Sequence, residues 1–159
     1  MEHSGSSVIV LVDDEEMVVA SIKSFLTLET DYQVVSFTSP REALEYMQKN
    51  KVDLVVSDYL MPDMDGIELL SRVRTLQPEA TRILLTGYAD KENAIKAIND
   101  VGLYQYIEKP WENDDLRLII RNGLEKRILL RRLEEKIEEV SRAHADLMKV
   151  QREILKAFA

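Results

Sequence analysis

The chain has 159 residues, enough for one ordinary domain and an appendage but short for two full domains. Apolar residues make up 45% and charged residues 31%, which is typical of a folded globular protein and not of a disordered one. The net charge of −8 argues against direct nucleic-acid binding, which depends on basic residues, and the absence of cysteine excludes a disulfide framework and a cysteine nucleophile.

The N-terminal residues 1–7 are polar, and we expect them to form a disordered tail. They carry no basic segment followed by an apolar one, as a secretory signal would. No apolar run approaches the ~20 residues needed to cross a bilayer. By elimination, the sequence predicts a cytoplasmic protein without a membrane partner.

The first two thirds of the chain alternate between predicted strands and predicted helices. Residues 8–12 form an unbroken aliphatic run, which is typical of a parallel strand buried on both faces. Four more strands are predicted at residues 33–37, 52–57, 83–86 and 105–108. Capping patterns at Ser39 and Asp65 mark the starts of two of the intervening helices. Five strand–helix units predict an α/β fold whose parallel sheet carries helices on both faces.

The last third has a different character, and residues 126–159 are predicted to form a coiled coil. Polar and apolar residues recur there at alternating spacings of three and four, and this heptad series is Leu130, Leu133, Ile137, Val140, His144, Leu147, Gln151, Ile154 and Phe158. Such a long amphipathic helix is not stable alone in water, so it needs a partner. A second copy of the chain is the simplest partner, giving a homodimer. Packing back onto its own domain is the alternative.

Polar residues of particular types stand at the predicted strand ends. Asp13 and Asp14 follow the first strand, Asp58 the third, Thr86 the fourth and Lys109 the fifth. In an open parallel sheet these ends meet at one edge, where ligands bind. Clustered carboxylates repel one another and favour a cation, and this set of oxygens suits Mg²⁺. Lys109 and Thr86 could hold phosphoryl oxygens, and Asp58 is then the best candidate nucleophile.

These motifs together resemble the receiver domain of two-component response regulators, related to the chemotaxis response regulator. The resemblance covers about residues 7–125, and its pieces are Asp13-Asp14, residues 58–62 with Asp65-Gly66, residues 85–87 and residues 106–110. It implies a flavodoxin-like doubly wound (βα)₅ sheet, order 2-1-3-4-5, over residues 8–125.

The resemblance also implies the roles of individual residues. Asp58 would be the phosphoacceptor. Mg²⁺ would be held by Asp14 and Asp58 directly, by Asp13 through water, and by the backbone carbonyl of Leu60. Thr86 and Lys109 would bind the phosphoryl group, and Tyr106 would be the aromatic residue that follows Thr86 in the switch.

The leading functional hypothesis is a signalling module and not an enzyme. A histidine kinase would phosphorylate Asp58, and the fifth helix and coiled coil would carry the change to a dimer or to an output domain missing after residue 159. The alternative is a dimerising scaffold of the same fold that ignores phosphorylation. A flavin-binding or dehalogenase-type enzyme is disfavoured, because the acids after the first strand would repel a phosphate and are adjacent instead of spaced Asp-x-Asp.

Overall fold

The computed structural model of the protein describes residues 6–158, apart from the side chain of residue 88. The predicted N-terminal tail therefore lies mostly outside the described residues. Two compact units divide the chain, one ending at Leu124 and the other beginning at Glu125. Within residues 6–158, no helix is both long enough and apolar enough to span a membrane.

The first unit contains a five-stranded parallel sheet with the order β2-β1-β3-β4-β5. The strands are β1 (Val8–Val12), β2 (Gln33–Phe37), β3 (Leu54–Asp58), β4 (Thr81–Thr86) and β5 (Gln105–Glu108). The helices are α1 (Glu16–Glu29), α2 (Pro40–Lys49), α3 (Gly66–Leu76), α4 (Lys91–Asp100) and α5 (Asn113–Ala157), of which α5 continues into the second unit. The predicted doubly wound fold, its strand order and the long final helix are confirmed.

Side chains alternate between the two faces of the sheet and form two separate hydrophobic clusters. The first cluster joins β1, β3 and β4 to helices α2, α3 and α4, with Val10, Val55 and Leu69 almost fully buried. The second cluster lies on the other face, where α1 and the first turns of α5 cover the sheet around Leu26 and Ile120. The core therefore has three layers, and its sheet is buried on both faces, as continuous aliphatic strands require.

Local signals in the sequence account for the starts of two helices. The Ser39 hydroxyl accepts a hydrogen bond from the Glu42 N–H at 3.3 Å, and an Asp65 oxygen accepts one from the Glu68 N–H at 2.8 Å. Each cap satisfies a backbone donor that a helix N-terminus leaves free. Both capping predictions are confirmed, and α3 is thereby held close behind the end of β3.

The boundaries of two strands differ from the prediction. Strand β3 begins at residue 54 instead of 52 and includes Asp58, and β4 begins at residue 81 instead of 83. Thr81 and Arg82 look like loop residues in the sequence, yet Thr81 pairs with Leu54 and Arg82 with Val55. Tertiary pairing extends β4 here, because backbone hydrogen bonds to β3 do not depend on side-chain polarity.

The second unit consists of the distal part of α5 and has large exposed apolar side chains. Leu133, Ile137 and Val140 expose 56%, 57% and 63% of their surfaces. Leu147 and Ile154 continue the series and are exposed as well. Isolated apolar side chains on a surface need no explanation, but a series at heptad spacing is typical of a helix that packs against another helix.

Candidate functional site

Three aspartates meet at the carboxyl edge of the sheet. Asp13 and Asp14 directly follow β1, and Asp58 is the last residue of the neighbouring strand β3. One carboxylate oxygen from each of the three lies within 4.8 Å of the others. Asp13 and Asp58 are buried, whereas Asp14 is exposed. The group therefore has one side open to solvent, through which a cation could reach it.

Lys109 connects two of these carboxylates. Its ammonium nitrogen Nζ lies 2.9 Å from Asp58 Oδ1 and 3.0 Å from Asp13 Oδ2. The backbone N–H of Lys109 donates to the Thr86 carbonyl at 2.8 Å, which fixes the start of the side chain at the end of β5. The peptide bond between Lys109 and Pro110 is cis. A single cation thus balances only part of three negative charges, and the cluster has a formal net charge of −2 when all four groups are ionised.

The charges of the cluster perturb two pKa values. Burial raises the pKa of the Asp58 carboxyl, and the charge of Asp13 adds to the rise, while the hydrogen bond from Lys109 only partly opposes it. Burial alone would lower the pKa of Lys109, but its hydrogen bonds to Asp58 and Asp13 outweigh burial and raise that pKa. Lys109 is therefore a firmly charged ammonium, and Asp58 is a carboxylate whose charge is costly to keep. A divalent cation would offset that cost.

The acidic group suits a hard divalent cation. Carboxylate oxygens are ligands that Mg²⁺ and Ca²⁺ prefer. The negative net charge of the cluster also favours binding of a cation. The Asp13 carboxylate is already oriented, because its Oδ1 accepts a hydrogen bond from the Glu15 N–H at 2.9 Å. The side chains present therefore fit the predicted metal site.

Thr86, Tyr106 and Leu60 occupy different surroundings. Thr86 ends β4, one residue beyond the register partner of Asp58, and its buried hydroxyl donates to the Gly87 carbonyl at 3.2 Å. Tyr106 lies on β5 and packs, half-buried, against the first hydrophobic cluster. Leu60 lies in the loop after β3 with an exposed side chain. The structure thus brings together Asp13, Asp14, Asp58 and Lys109, with Thr86 on the adjacent strand end.

Gly66 is a residue of the site that the sequence analysis noted only as part of a motif. Its N–H donates to the Tyr59 carbonyl at 2.7 Å, and a Cβ atom at this position would overlap the backbone carbonyl oxygen of Asp58. The same Cβ would lie 2.9 Å from Leu84 Cδ1. Glycine is therefore required sterically, because the first turn of α3 packs directly against the backbone of the central aspartate. The Asp65-Gly66 pair was the available signal, but as a helix start and a family motif it does not indicate this steric requirement.

Arg82 is a second residue that sequence reasoning missed, at the opposite end of β4. Its buried guanidinium donates to the carbonyls of Pro78, Ala80 and Gly102 at 3.4, 3.0 and 3.1 Å. Burial lowers the pKa of Arg82, and the nearby charge of Arg74 lowers it further. The guanidinium holds together the loop before β4 and the loop before β5, at the end of β4 opposite the acidic cluster, so its role is structural.

Fold and site together define a doubly wound α/β domain with an acidic cluster, bridged by a lysine, at the carboxyl edge of its sheet. The sequence profile of the response regulator receiver domain matches residues 9–121. The chain therefore belongs to the response regulator receiver domain family, whose members act in two-component systems. The resemblance predicted from the motifs is confirmed.

Relatives and solved structures agree with this assignment. The hydrogenase transcriptional regulatory protein of Cupriavidus necator is 35% identical over 117 residues, which are 74% of this chain and 24% of that protein. The signal receiver domain of an HD domain-containing protein from Pseudomonas fluorescens is 36% identical with a TM-score of 0.73, covering 77% of this chain and 98% of that one. A structure titled adenylate cyclase from Rhodopirellula baltica is 27% identical with a TM-score of 0.78, covering 84% and 98%. The chain spans about a quarter to a half of the length of the curated relatives it matches.

Proposed function

We propose that Asp58 accepts a phosphoryl group from the phosphohistidine of a histidine kinase, in a reaction that requires Mg²⁺. One observation carries this proposal: the buried Asp58 carboxylate has the Lys109 ammonium at 2.9 Å and two further carboxylates within 4.8 Å. Lys109 supplies a positive charge for the incoming phosphoryl group, and the acids supply a place for a divalent cation. Membership of the receiver family supports the same chemistry.

In the proposed step, an oxygen of Asp58 attacks the phosphorus atom of the donor. A new bond forms between that oxygen and phosphorus, and the bond from phosphorus to the donor nitrogen breaks. The imidazole nitrogen leaves with the electron pair of that bond, and one proton from water gives the neutral imidazole. Asp58 therefore acts as a nucleophile, and the product is an aspartyl phosphate. The negative charge of the carboxylate is lost, and the phosphoryl group brings its own negative charge to the site.

We assign the proposed Mg²⁺ to the oxygens of Asp14 and Asp58, to Asp13 through a water molecule, and to the backbone carbonyl of Leu60. The ion would neutralise charge on the oxygens of the transferred group. The buried Asp13 carboxylate keeps Lys109 in place, and the exposed Asp14 carboxylate leaves the cluster open to solvent. Asp13 thus orients Lys109, and Asp14 leaves a path by which the cation could reach the cluster.

Thr86 and Lys109 are proposed to bind the phosphoryl oxygens, with Tyr106 as the responding aromatic residue. The Thr86 hydroxyl would exchange its hydrogen bond to the Gly87 carbonyl for one to a phosphoryl oxygen. Tyr106 is only half-buried, so its ring has room to follow such a movement. Phosphorylation would then bias a two-state element formed by α4, β5 and α5.

The proposed output is a change in a homodimer formed through the distal part of α5. The heptad series of exposed apolar residues supports this dimer, because it offers a continuous surface to a second helix. The names of the relatives support an output domain after residue 159: one is a transcriptional regulatory protein, and another structure is titled adenylate cyclase. Two expectations stay predictions. One is that this chain does not contact nucleic acid directly, and the other is that it is located in the cytoplasm.

A mass measurement tests the proposed phosphorylation. The protein is treated with acetyl phosphate and Mg²⁺, and we expect a phosphate-sized mass gain that hydroxylamine reverses, as it does for acyl phosphates. Asp58→Asn should abolish the gain, and the exposed Asp31→Asn should keep it. A gain that persists in Asp58→Asn, or the absence of any gain in the wild-type protein, would refute the proposal. A dimer that is identical with and without the phosphoryl group would instead favour the scaffold function.

A further inference from the structure

Two overlapping seams, each a line of residues at heptad spacing, run along the distal part of α5. The first seam is the heptad series from Leu130 to Phe158 described above. The second seam shares Val140, Leu147 and Ile154 with the first and lies on one side of it. Its members, all apolar and again spaced alternately by three and four, are Val140, Ala143, Leu147, Val150, Ile154 and Ala157. All these positions lie within α5, so both seams exist on one continuous helix.

The two seams differ in polarity on either side of Val140. Before Val140 the first seam is purely aliphatic, whereas the second would place Lys136 at its centre. After Val140 the first seam contains His144 and Gln151, and the second contains only aliphatic residues. Burying an imidazole and an amide without partners is unfavourable, and a central polar residue weakens a coiled coil. The helix therefore favours the first seam up to Val140 and the second seam beyond it.

We propose that two copies of the chain pair in parallel through α5 and change from the first seam to the second at Val140. This inference rests on the dimer in the proposed function and adds its orientation and its contact surface. The contact residues are Leu130, Leu133, Ile137, Val140, Ala143, Leu147, Val150, Ile154 and Ala157. Two successive spacings of three occur at Val140, and such an interruption of the heptad repeat overwinds a coiled coil locally.

Charge complementarity supports a second copy as the occupant and a parallel orientation. In a parallel pair, the residue just before every second central position, here Val140 and Leu147, contacts the residue five positions later on the other helix. Along the second seam this rule pairs Glu139 with His144 and Asp146 with Gln151 of the second copy. An antiparallel pair would instead bring the acidic edges, which also include Glu153, against each other, and that is unfavourable. The polar residues that the second seam leaves outside thus acquire acidic partners.

Disulfide crosslinking between single cysteines tests the change of seam. The chain contains no cysteine, so each variant has only the introduced thiol. Ala143→Cys is compared with its neighbour His144→Cys, and Ile137→Cys with Lys136→Cys, in the full chain under mild oxidation. We expect the two central positions, 137 and 143, to crosslink at least about tenfold faster than their neighbours, because a disulfide requires Cβ atoms about 4 Å apart. Circular dichroism checks that each variant keeps its helix.

The possible results separate the seam from the rest of the proposed function. Fast crosslinking of His144→Cys and slow crosslinking of Ala143→Cys would show a dimer through the first seam only and overturn the inference. Slow crosslinking at all four positions would overturn the inference, because a parallel pair through either seam would bring the thiols of two of these variants together. The same four cysteines in an Asp58→Asn background should keep their order, because the seams are built from α5 residues alone. A failure of phosphorylation is read separately, from the mass measurement.

Discussion

Asp58→Asn should make the metal-free protein more stable, although it removes an ion pair. At an effective dielectric constant near 20, the attraction between Asp58 and Lys109 across 2.9 Å is about 6 kcal/mol. Repulsion from the buried Asp13, at no more than 4.8 Å between the grouped oxygens, offsets about 3.5 kcal/mol of that attraction at that limit, and the exposed Asp14 adds a smaller repulsion that solvent screens. The cost of burying the Asp58 charge is the largest cause of its raised pKa, so this cost determines the sign.

We expect the variant to gain roughly 1–2 kcal/mol in its free energy of unfolding, and its Tm to rise on the order of 4 °C, near pH 7 in the presence of a chelator. Urea unfolding followed by circular dichroism measures the difference. Asp31→Asn is the matched control, since it makes the same chemical change at an exposed position and should leave stability within about 0.5 kcal/mol.

The pH dependence of this difference follows from the raised pKa of Asp58. A raised pKa means that the folded protein holds the proton to a higher pH than the unfolded chain, whose value is 3.8. The charged Asp58 therefore destabilises the fold fully above its folded pKa and not at all below 3.8. The advantage of the variant should shrink as the pH falls toward about 4. An advantage that grows on acidification, or a variant less stable than wild type near pH 7, would refute the electrostatic reasoning.

Three further changes test the site and the scaffold. Mg²⁺ at about ten times its Kd should raise the free energy of unfolding by about 1.4 kcal/mol. Asp14→Asn should lose most of this stabilisation, because the substitution removes the exposed ligand. Thermal unfolding with and without Mg²⁺ measures both effects. Gly66→Ala should cost about 1–3 kcal/mol and weaken Mg²⁺ binding, since the new methyl group would displace the Asp58 backbone, and urea unfolding with a Mg²⁺ titration shows both effects. Arg82→Met should cost about 1–3 kcal/mol in urea unfolding without changing Mg²⁺ binding, because three carbonyls lose a donor.

Matched controls make these outcomes specific. Asp31→Asn should keep the full stabilisation by Mg²⁺. Gly87→Ala should be tolerated, because a Cβ there meets only Asp90 Oδ2, at 4.0 Å. Arg72→Met removes an exposed ion pair with Glu68 and should cost less than about 1 kcal/mol. A loss in Gly87→Ala equal to that in Gly66→Ala, or an Asp14→Asn protein that still gains the full stabilisation, would contradict the site as described.

The strand ends made much of the site predictable from the sequence. Aliphatic runs identify buried parallel strands, and parallel strands bring their carboxyl ends to one edge, so Asp13, Asp58 and Lys109 could be expected to lie close together. The contrast between the buried Asp13 and the exposed Asp14 could not be predicted, because it depends on how the loop after β1 turns. Lys109 bonding to both carboxylates at once is also a result of packing between three strand ends.

The roles of residues that contact the backbone of segments distant in sequence could not be predicted. Arg82 looks like a surface residue, yet it is buried because the loops before β4 and before β5 present carbonyls to its guanidinium. Gly66 looks like an ordinary helix start, and only the approach of the Asp58 backbone shows why a side chain is excluded. Local patterns identify elements and caps, whereas close approaches between elements depend on the whole fold.

The two hydrophobic clusters on opposite faces of the sheet have a consequence for how this domain tolerates change. A truncation at Leu69 acts among α2, α3 and α4, and one at Leu26 acts among α1 and α5, with no packing partner in common. Their destabilisations should add, while Leu69 and Val73 share neighbours and should not be additive. The effect on stability of a substitution on one face of the sheet should therefore not depend on substitutions on the other face. The sheet separates two hydrophobic cores that can change in sequence independently.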